Sequence, residues 1–103
     1  MTTYFVSRHP GAIAWAKQQE FVIDQLVMHL DASLIQAGDI VIGSLPVHLA
    51  ARVCKSGGRY FHLSMEMPAD KRGRELSTDE LSQYGVVAEE FQVHKSPPSN
   101  GFK

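Results

Sequence analysis

The residues with the clearest capacity for chemistry are Ser7, Arg8 and His9, which follow a short apolar run and precede a proline. Arginine offers a planar fork of donors that matches a phosphate, and histidine acts as acid, base or donor near neutral pH. We therefore assign Arg8 and His9 as candidate catalytic residues that grip and polarise a phosphodiester, with Ser7 as a candidate substrate-binding residue. The alternative is that Arg8 is a solvated loop charge and His9 a turn residue.

A second polar segment runs from Gly43 to Pro46 and also follows an apolar, β-branched run. A glycine lets backbone N–H groups approach a phosphate closely, and the Ser44 hydroxyl adds a donor. We predict that Gly43, Ser44, Leu45 and Pro46 bind substrate. The segment matches neither G-x-x-x-x-G-K-[ST] nor G-x-G-x-x-G. A glycine needed for a tight turn and a serine at a helix start is therefore an equally good interpretation.

A third segment, Ser64-Met65-Glu66, ends another apolar run and is followed by a charged loop that contains Arg72 and Arg74. Such a loop could close over an anion and supply charge to a transition state. Glu66 and Arg72 therefore complete the predicted substrate-binding set. A solvated connecting loop is the alternative interpretation of the charged stretch.

The chain has five histidines and one cysteine, Cys54. No H-x-x-x-H or H-E-x-x-H spacing occurs, and one cysteine cannot form an intramolecular disulfide or a multi-cysteine zinc site. We predict no metal and no cofactor. His29, His62 and His94 end or lie within predicted strands, and we interpret at least one of them as a packed histidine.

Alternating strand and helix patterns surround these segments. They predict strands over residues 2–6, 40–42, 60–65 and 86–94, and one further strand that ends near His29. They also predict helices over residues 12–20, 47–55 and 77–84, and a turn capped by Asp31. Helical periodicity over 21–30 would instead lengthen the first helix. Strands alternating with helices through short turns predict an α/β, Rossmann-like, mostly parallel sheet flanked by helices.

Right-handed crossovers place the turns that follow the first, third and fourth of these strands along one edge of the sheet. Ligands of open α/β sheets bind at the carboxyl ends of strands, so the three polar segments are expected to form one site. Arg52, Lys55 and Arg59 are expected at the opposite edge. We predict one domain over 1–95 and a tail over 96–103 that is disordered by composition.

Bulk composition limits the possible partners. Ten Lys and Arg against eleven Asp and Glu give a net charge of −1, so no global basic field attracts long nucleic acids. The apolar runs fall far below the ~20 residues that a transmembrane helix needs. We therefore predict a cytoplasmic protein without a membrane partner, whose anionic ligand is met by a local patch.

Five segments together form a specific pattern: 4–12 (YFVSRHPGA), 29–31 (HLD), 38–39 (GD), 41–46 (VIGSLP) and 72–76 (RGREL). They resemble a family of small, Csx-type CRISPR-associated accessory proteins from type III loci, over about residues 2–93. Members look like minimal relatives of the CARF domain, a Rossmann-like dimer that binds cyclic oligoadenylate. The resemblance implies a homodimeric ring nuclease that degrades cyclic tetra-adenylate and so switches off the antiviral response.

The implied reaction needs no metal, because the ribose 2′-hydroxyl next to each phosphate supplies the nucleophile. The enzyme then aligns that hydroxyl and stabilises the charged transition state, and the products end in a 2′,3′-cyclic phosphate. Two alternatives stay open. A binding protein would sequester the ring without cutting it, and an interaction module of CRISPR complexes would need no anionic pocket.

Overall fold

A five-stranded sheet with helices on both faces organises the chain in a computed structural model that describes residues 1–20, 22–64 and 85–98. The strands lie in the order β2-β1-β3-β4-β5, with β1 to β4 parallel and β5 antiparallel to β4. In chain order the elements are β1 (Thr3–Val6), α1 (Pro10–Gln18), β2 (Gln25–Val27), a 3₁₀-helix (Ala32–Leu34), β3 (Ile40–Gly43), α2 (Val47–Lys55), β4 (Arg59–Ser64) and β5 (Val87–Phe91).

The two faces of the sheet are covered by different helices, because successive strand side chains point to opposite faces. On one face, Phe5 and Ile42 pack against Trp15 and Ala16 of α1. The other face packs under α2 and the 3₁₀-helix through a second set of buried residues: Ile35, Val41, Ala50, Val53 and Tyr60. The β-branched run of β3 is buried on both faces, as the sequence predicts for a central parallel strand.

Local signals define most element ends. Pro10 occupies the first position of α1, where a missing N–H costs nothing. The Asp31 carboxylate accepts a hydrogen bond from the Ser33 N–H and caps the 3₁₀-helix, as predicted. Gly57 adopts φ +87° just past the end of α2, a conformation that favours glycine.

Several predicted boundaries are wrong. Helix α1 begins at Pro10 rather than residue 12 and ends at Gln18, and the strand at 25–27 excludes a continuous helix over 21–30. By contrast, α2 has the predicted bounds, 47–55, with Pro46 as its N-cap. The last strand covers only Val87–Phe91. Residue 65 and the predicted helix over 77–84 lie outside the described residues.

β2 and β3 lie on opposite sides of β1, so the order in which strands are added to the sheet reverses between β1 and β3. In open parallel sheets such a reversal leaves a crevice at the carboxyl ends of the two strands, where ligands bind. The observed α/β class and mostly parallel sheet therefore confirm the predicted architecture at that level. No helix in the described ranges is long and apolar enough to cross a membrane.

Candidate functional site

The carboxyl ends of β1, β3 and β4 meet at one edge of the sheet, which we call the carboxyl edge. Val6 pairs with Gly43, and Gly43 pairs with His62, so the three strands reach this edge in register. Neighbouring strands lie about 4.8 Å apart, and the turns that begin at Ser7 and Ser44 therefore leave the sheet side by side. This brings together the first two predicted site segments.

The turn after β1 is held by its own serine. The Ser7 N–H donates to the Val27 carbonyl oxygen at 3.0 Å, and the Ser7 hydroxyl oxygen accepts from the His9 N–H at 3.1 Å. Arg8 is exposed between them, and His9 is the exposed N-cap residue of α1. The structure thus gives Ser7 a bond that shapes the turn and leaves Arg8 exposed next to the carboxyl ends of β1 and β3.

Gly43 is needed because β1 and β3 approach closely at this edge. A Cβ atom there would lie 2.8 Å from the Val6 carbonyl oxygen and 3.3 Å from the Val6 Cβ. Gly43 is buried and does not have a positive φ, so close approach rather than turn geometry explains it. Ser44 and Pro46 are exposed, and Leu45 is half-buried. Ser44 is therefore the side chain of this turn best placed to meet a ligand.

Tyr60 organises the turn after β3, a role that the sequence analysis missed. Its hydroxyl accepts from the Leu45 N–H at 2.9 Å and lies 3.2 Å from the Gly43 carbonyl oxygen. It also contacts His62 Nδ1 at 2.6 Å. Burial raises the pKa of the Tyr60 phenol, and the hydrogen bond from Leu45 acts in the opposite direction. The neutral hydroxyl therefore links the end of β3 and the turn after it to His62 of β4.

His62 lies on β4 at the carboxyl edge and was considered in the sequence only as a strand histidine. Its ring makes edge-on contacts with Tyr60 at 5.7 Å and with Phe91 at 6.0 Å between centroids. Glu89 is its cross-strand partner on β5. The spacing Tyr60-x-His62 was the available signal, because residues two apart on a strand share a face.

Both nine-residue helices begin at the carboxyl edge. Neither α1 nor α2 has an acidic residue in its first turn, and neither N-cap side chain bonds to the helix. The positive end of each helix dipole is therefore not compensated by a first-turn carboxylate, and it favours an anion nearby. Arg8 adds a positive charge next to the start of α1, and Glu89, opposite His62, adds a negative one on β5.

At the opposite edge of the sheet, charged side chains hold the ends of the strands in place. Asp39, 6% exposed, accepts hydrogen bonds from the Gln36 and Thr2 N–H groups, and these bonds lower the pKa of its carboxyl. Arg59 begins β4 there and forms a two-pronged pair with Glu90 at 2.8 and 2.9 Å. The prediction that Arg59 lies at the opposite edge is confirmed. Its side chain ties β5 to β4 and remains about half exposed to solvent.

The remaining predicted site residues, Glu66 and Arg72, lie outside the described residues. Within the described ranges, no group of three histidine, cysteine or acidic side chains is arranged to hold a metal ion. Cys54 is half-buried on α2, where its Sγ accepts from the Val93 N–H at 3.4 Å. That contact secures the chain after β5.

Comparison with known proteins gives one match. Residues 4–94 match a family described as "Putative CRISPR-associated protein (Cas_VVA1548)". No curated protein and no solved structure matches the chain. The match spans the sheet, both helices and both turns of the carboxyl edge. The chain therefore belongs to this CRISPR-associated protein family.

Proposed function

We propose that the protein is a ring nuclease that binds cyclic tetra-adenylate at the carboxyl edge and cleaves it, which would switch off type III CRISPR antiviral signalling. The observation that carries the proposal is that Arg8, Ser44 and two helix N-termini all follow the carboxyl ends of the neighbouring strands β1 and β3. These groups suit a phosphodiester. The chain belongs to a CRISPR-associated family, which is compatible with this proposal.

Each group has a definite task in this proposal. Arg8 binds the scissile phosphate and stabilises the charge that develops on its oxygens. His9, at the start of α1, donates a hydrogen bond or a proton to the same phosphate. Ser44 orients the ring from the neighbouring turn. The attacking group is the ribose 2′-hydroxyl of the substrate, so the protein supplies alignment and charge rather than a nucleophile.

The ring carries four phosphates, whereas one chain offers a single copy of Arg8 and Ser44. A two-fold dimer would present the same patch twice, which matches a ring with approximate symmetry. We therefore propose that the active form is a homodimer with the ring bound across its axis.

The direct test is incubation of the protein with labelled cyclic oligoadenylates of different ring sizes, with and without EDTA, followed by chromatography. We expect linear products with a 2′,3′-cyclic phosphate end, formed equally well in EDTA. Binding without product would indicate a sequestering protein instead. The absence of both binding and cleavage would favour an interaction module.

A matched pair of variants tests the location of the site. Arg8→Ala removes a charged donor to phosphate, which typically costs ~1.5–3 kcal/mol, or about one to two orders of magnitude in rate. Arg52→Ala removes the same charge from the last turn of α2 and should change little. Circular dichroism must first show that both variants fold. If Arg8→Ala cleaves the ring at the parental rate and Arg52→Ala does not cleave it, the site lies at the opposite edge and not at the carboxyl edge.

A further inference from the structure

His62 has its ring held in one orientation at the carboxyl edge. Tyr60 and Phe91 contact the ring edge-on, and the Tyr60 hydroxyl lies 2.6 Å from Nδ1. The second ring nitrogen, Nε2, has no hydrogen-bond partner among the residues that the structure describes. The side chain is half-buried, so it is neither a solvated surface histidine nor fully enclosed in the core.

The three contacts of the Tyr60 hydroxyl favour one tautomer of this imidazole. A phenol hydroxyl has one proton and two acceptor lone pairs. The Leu45 N–H occupies one lone pair, and the Gly43 carbonyl, which can only accept, takes the proton. All three contacts are hydrogen bonds only if His62 Nδ1 donates to the remaining lone pair. In the neutral ring, Nε2 is then unprotonated and free to accept a proton.

The position of His62 suits this capacity. It pairs with Gly43, so it stands beside the turn that carries Ser44, on the sheet face that α2 covers. The turn with Arg8 and His9 is two strands away, at a spacing of about 10 Å. The Ser44 turn follows β3, which lies between β1 and β4 in the sheet.

We propose that His62 is a catalytic residue of the ring-cleavage reaction, the general base, and that Tyr60 is its positioning residue. The inference rests on the proposed function. His62 Nε2 takes the proton of the ribose 2′-hydroxyl as the 2′-oxygen forms a bond to phosphorus. The bond from phosphorus to the 5′-oxygen breaks, and protonated His9 gives that oxygen its proton. The products are a 2′,3′-cyclic phosphate and a 5′-hydroxyl, and proton exchange with water resets both histidines.

The test compares His62→Ala with a matched control, His94→Ala, which removes an exposed imidazole beyond the end of β5 at the opposite edge. Loss of a general base lowers kcat by about 100-fold or more. We therefore expect His62→Ala to bind the labelled ring as the parent does and to cut it at least about 100-fold more slowly. Added imidazole should restore part of the rate, since it can fill the vacated space. His94→Ala should cut at the parental rate.

Tyr60→Phe separates positioning from direct catalysis. It should lower kcat with KM unchanged, and by less than His62→Ala does. Two-dimensional ¹H–¹⁵N spectra of the histidine rings provide a readout that needs no substrate. We expect the Nδ1–H tautomer for His62 in the parent protein and its loss in Tyr60→Phe.

The outcomes distinguish the two proposals. A parent protein that cuts the ring, together with a folded His62→Ala that cuts it equally fast, overturns the role of His62 and leaves the ring nuclease intact. An Nε2–H tautomer in the parent also overturns it. A parent protein that neither binds nor cuts any ring removes the proposed function, and the catalytic role of His62 with it.

Discussion

Replacing Tyr60 by phenylalanine should destabilise the protein, because its hydroxyl joins β4 to the end of β3 and to the turn that begins α2. The hydroxyl accepts from the Leu45 N–H at 2.9 Å, reaches the Gly43 carbonyl at 3.2 Å and lies 2.6 Å from His62 Nδ1. Tyr60 itself is 2% exposed, so water cannot readily take the place of the lost oxygen. The phenyl ring keeps its packing with Val41 and Val53, and the effect therefore isolates the hydrogen bonds.

The size of the effect follows from the groups left behind. A buried donor or acceptor that loses its partner costs about 1–3 kcal/mol, whereas an ordinary net hydrogen bond contributes about 0.5–1.5 kcal/mol. Because the Leu45 N–H is only partly buried, we expect the loss of these hydrogen bonds to lower the free energy of unfolding by about 2 kcal/mol. For a domain of this size each kcal/mol shifts Tm by about 4–8 °C, so Tm should fall by about 8–16 °C.

Thermal and urea unfolding followed by circular dichroism measure this change. The matched control is Tyr4→Phe, on β1 and packed against the same buried cluster, whose hydroxyl has no hydrogen-bond partner in the described part of the chain. Tyr4→Phe should change Tm by no more than about 4 °C, as expected for a loss within about 0.5 kcal/mol. Equal Tm values for Tyr60→Phe and Tyr4→Phe would refute the role given to the Tyr60 hydroxyl.

Three other predictions follow from the same structure. Gly43→Ala should cost about 1–3 kcal/mol of unfolding free energy in urea, because its Cβ would meet the Val6 carbonyl oxygen at 2.8 Å; an unchanged midpoint would contradict that close approach. Because folding lowers the pKa of Asp39, its ionised carboxylate stabilises the folded state at pH values above the unfolded pKa of about 3.9. This stabilisation is lost as the pH falls through the pKa of the folded state. Asp39→Asn should therefore lose less stability than the parent between pH 5 and 2 in acid titrations of the urea midpoint, and identical acid profiles would argue against it. Sedimentation at micromolar concentration should show a dimer, and a monomer that binds the ring one-to-one would exclude the shared site.

Much of the candidate site was accessible from sequence because its parts follow strands that local patterns reveal. An apolar run that stops at Ser7, and another that stops at Gly43, each lead directly into a helix that begins at or just after a proline. Parallel strands joined by helices must bring such turns to one edge. The convergence of the two turns was therefore predictable, whereas the chemical roles of their side chains remain predictions.

Tertiary structure alone decided the features that depend on which strands become neighbours. The antiparallel direction of β5 is one, since the alternation of apolar residues along a strand is the same in either direction. The requirement for Gly43 is another, because it arises from the Val6 backbone on β1 and not from the turn that Gly43 begins.

The junction at Tyr60 shows the same division most clearly. The sequence determined that Tyr60 and His62 share one face of a strand, through the two-residue period of the pleated backbone. Only the register of β3 against β4 placed the Tyr60 hydroxyl within hydrogen-bond distance of the Gly43 carbonyl and the Leu45 N–H, more than a dozen residues earlier in the chain. Hydrogen bonds act over about 3 Å, and a shift of one residue along the strand, about 3.3 Å, would break them all.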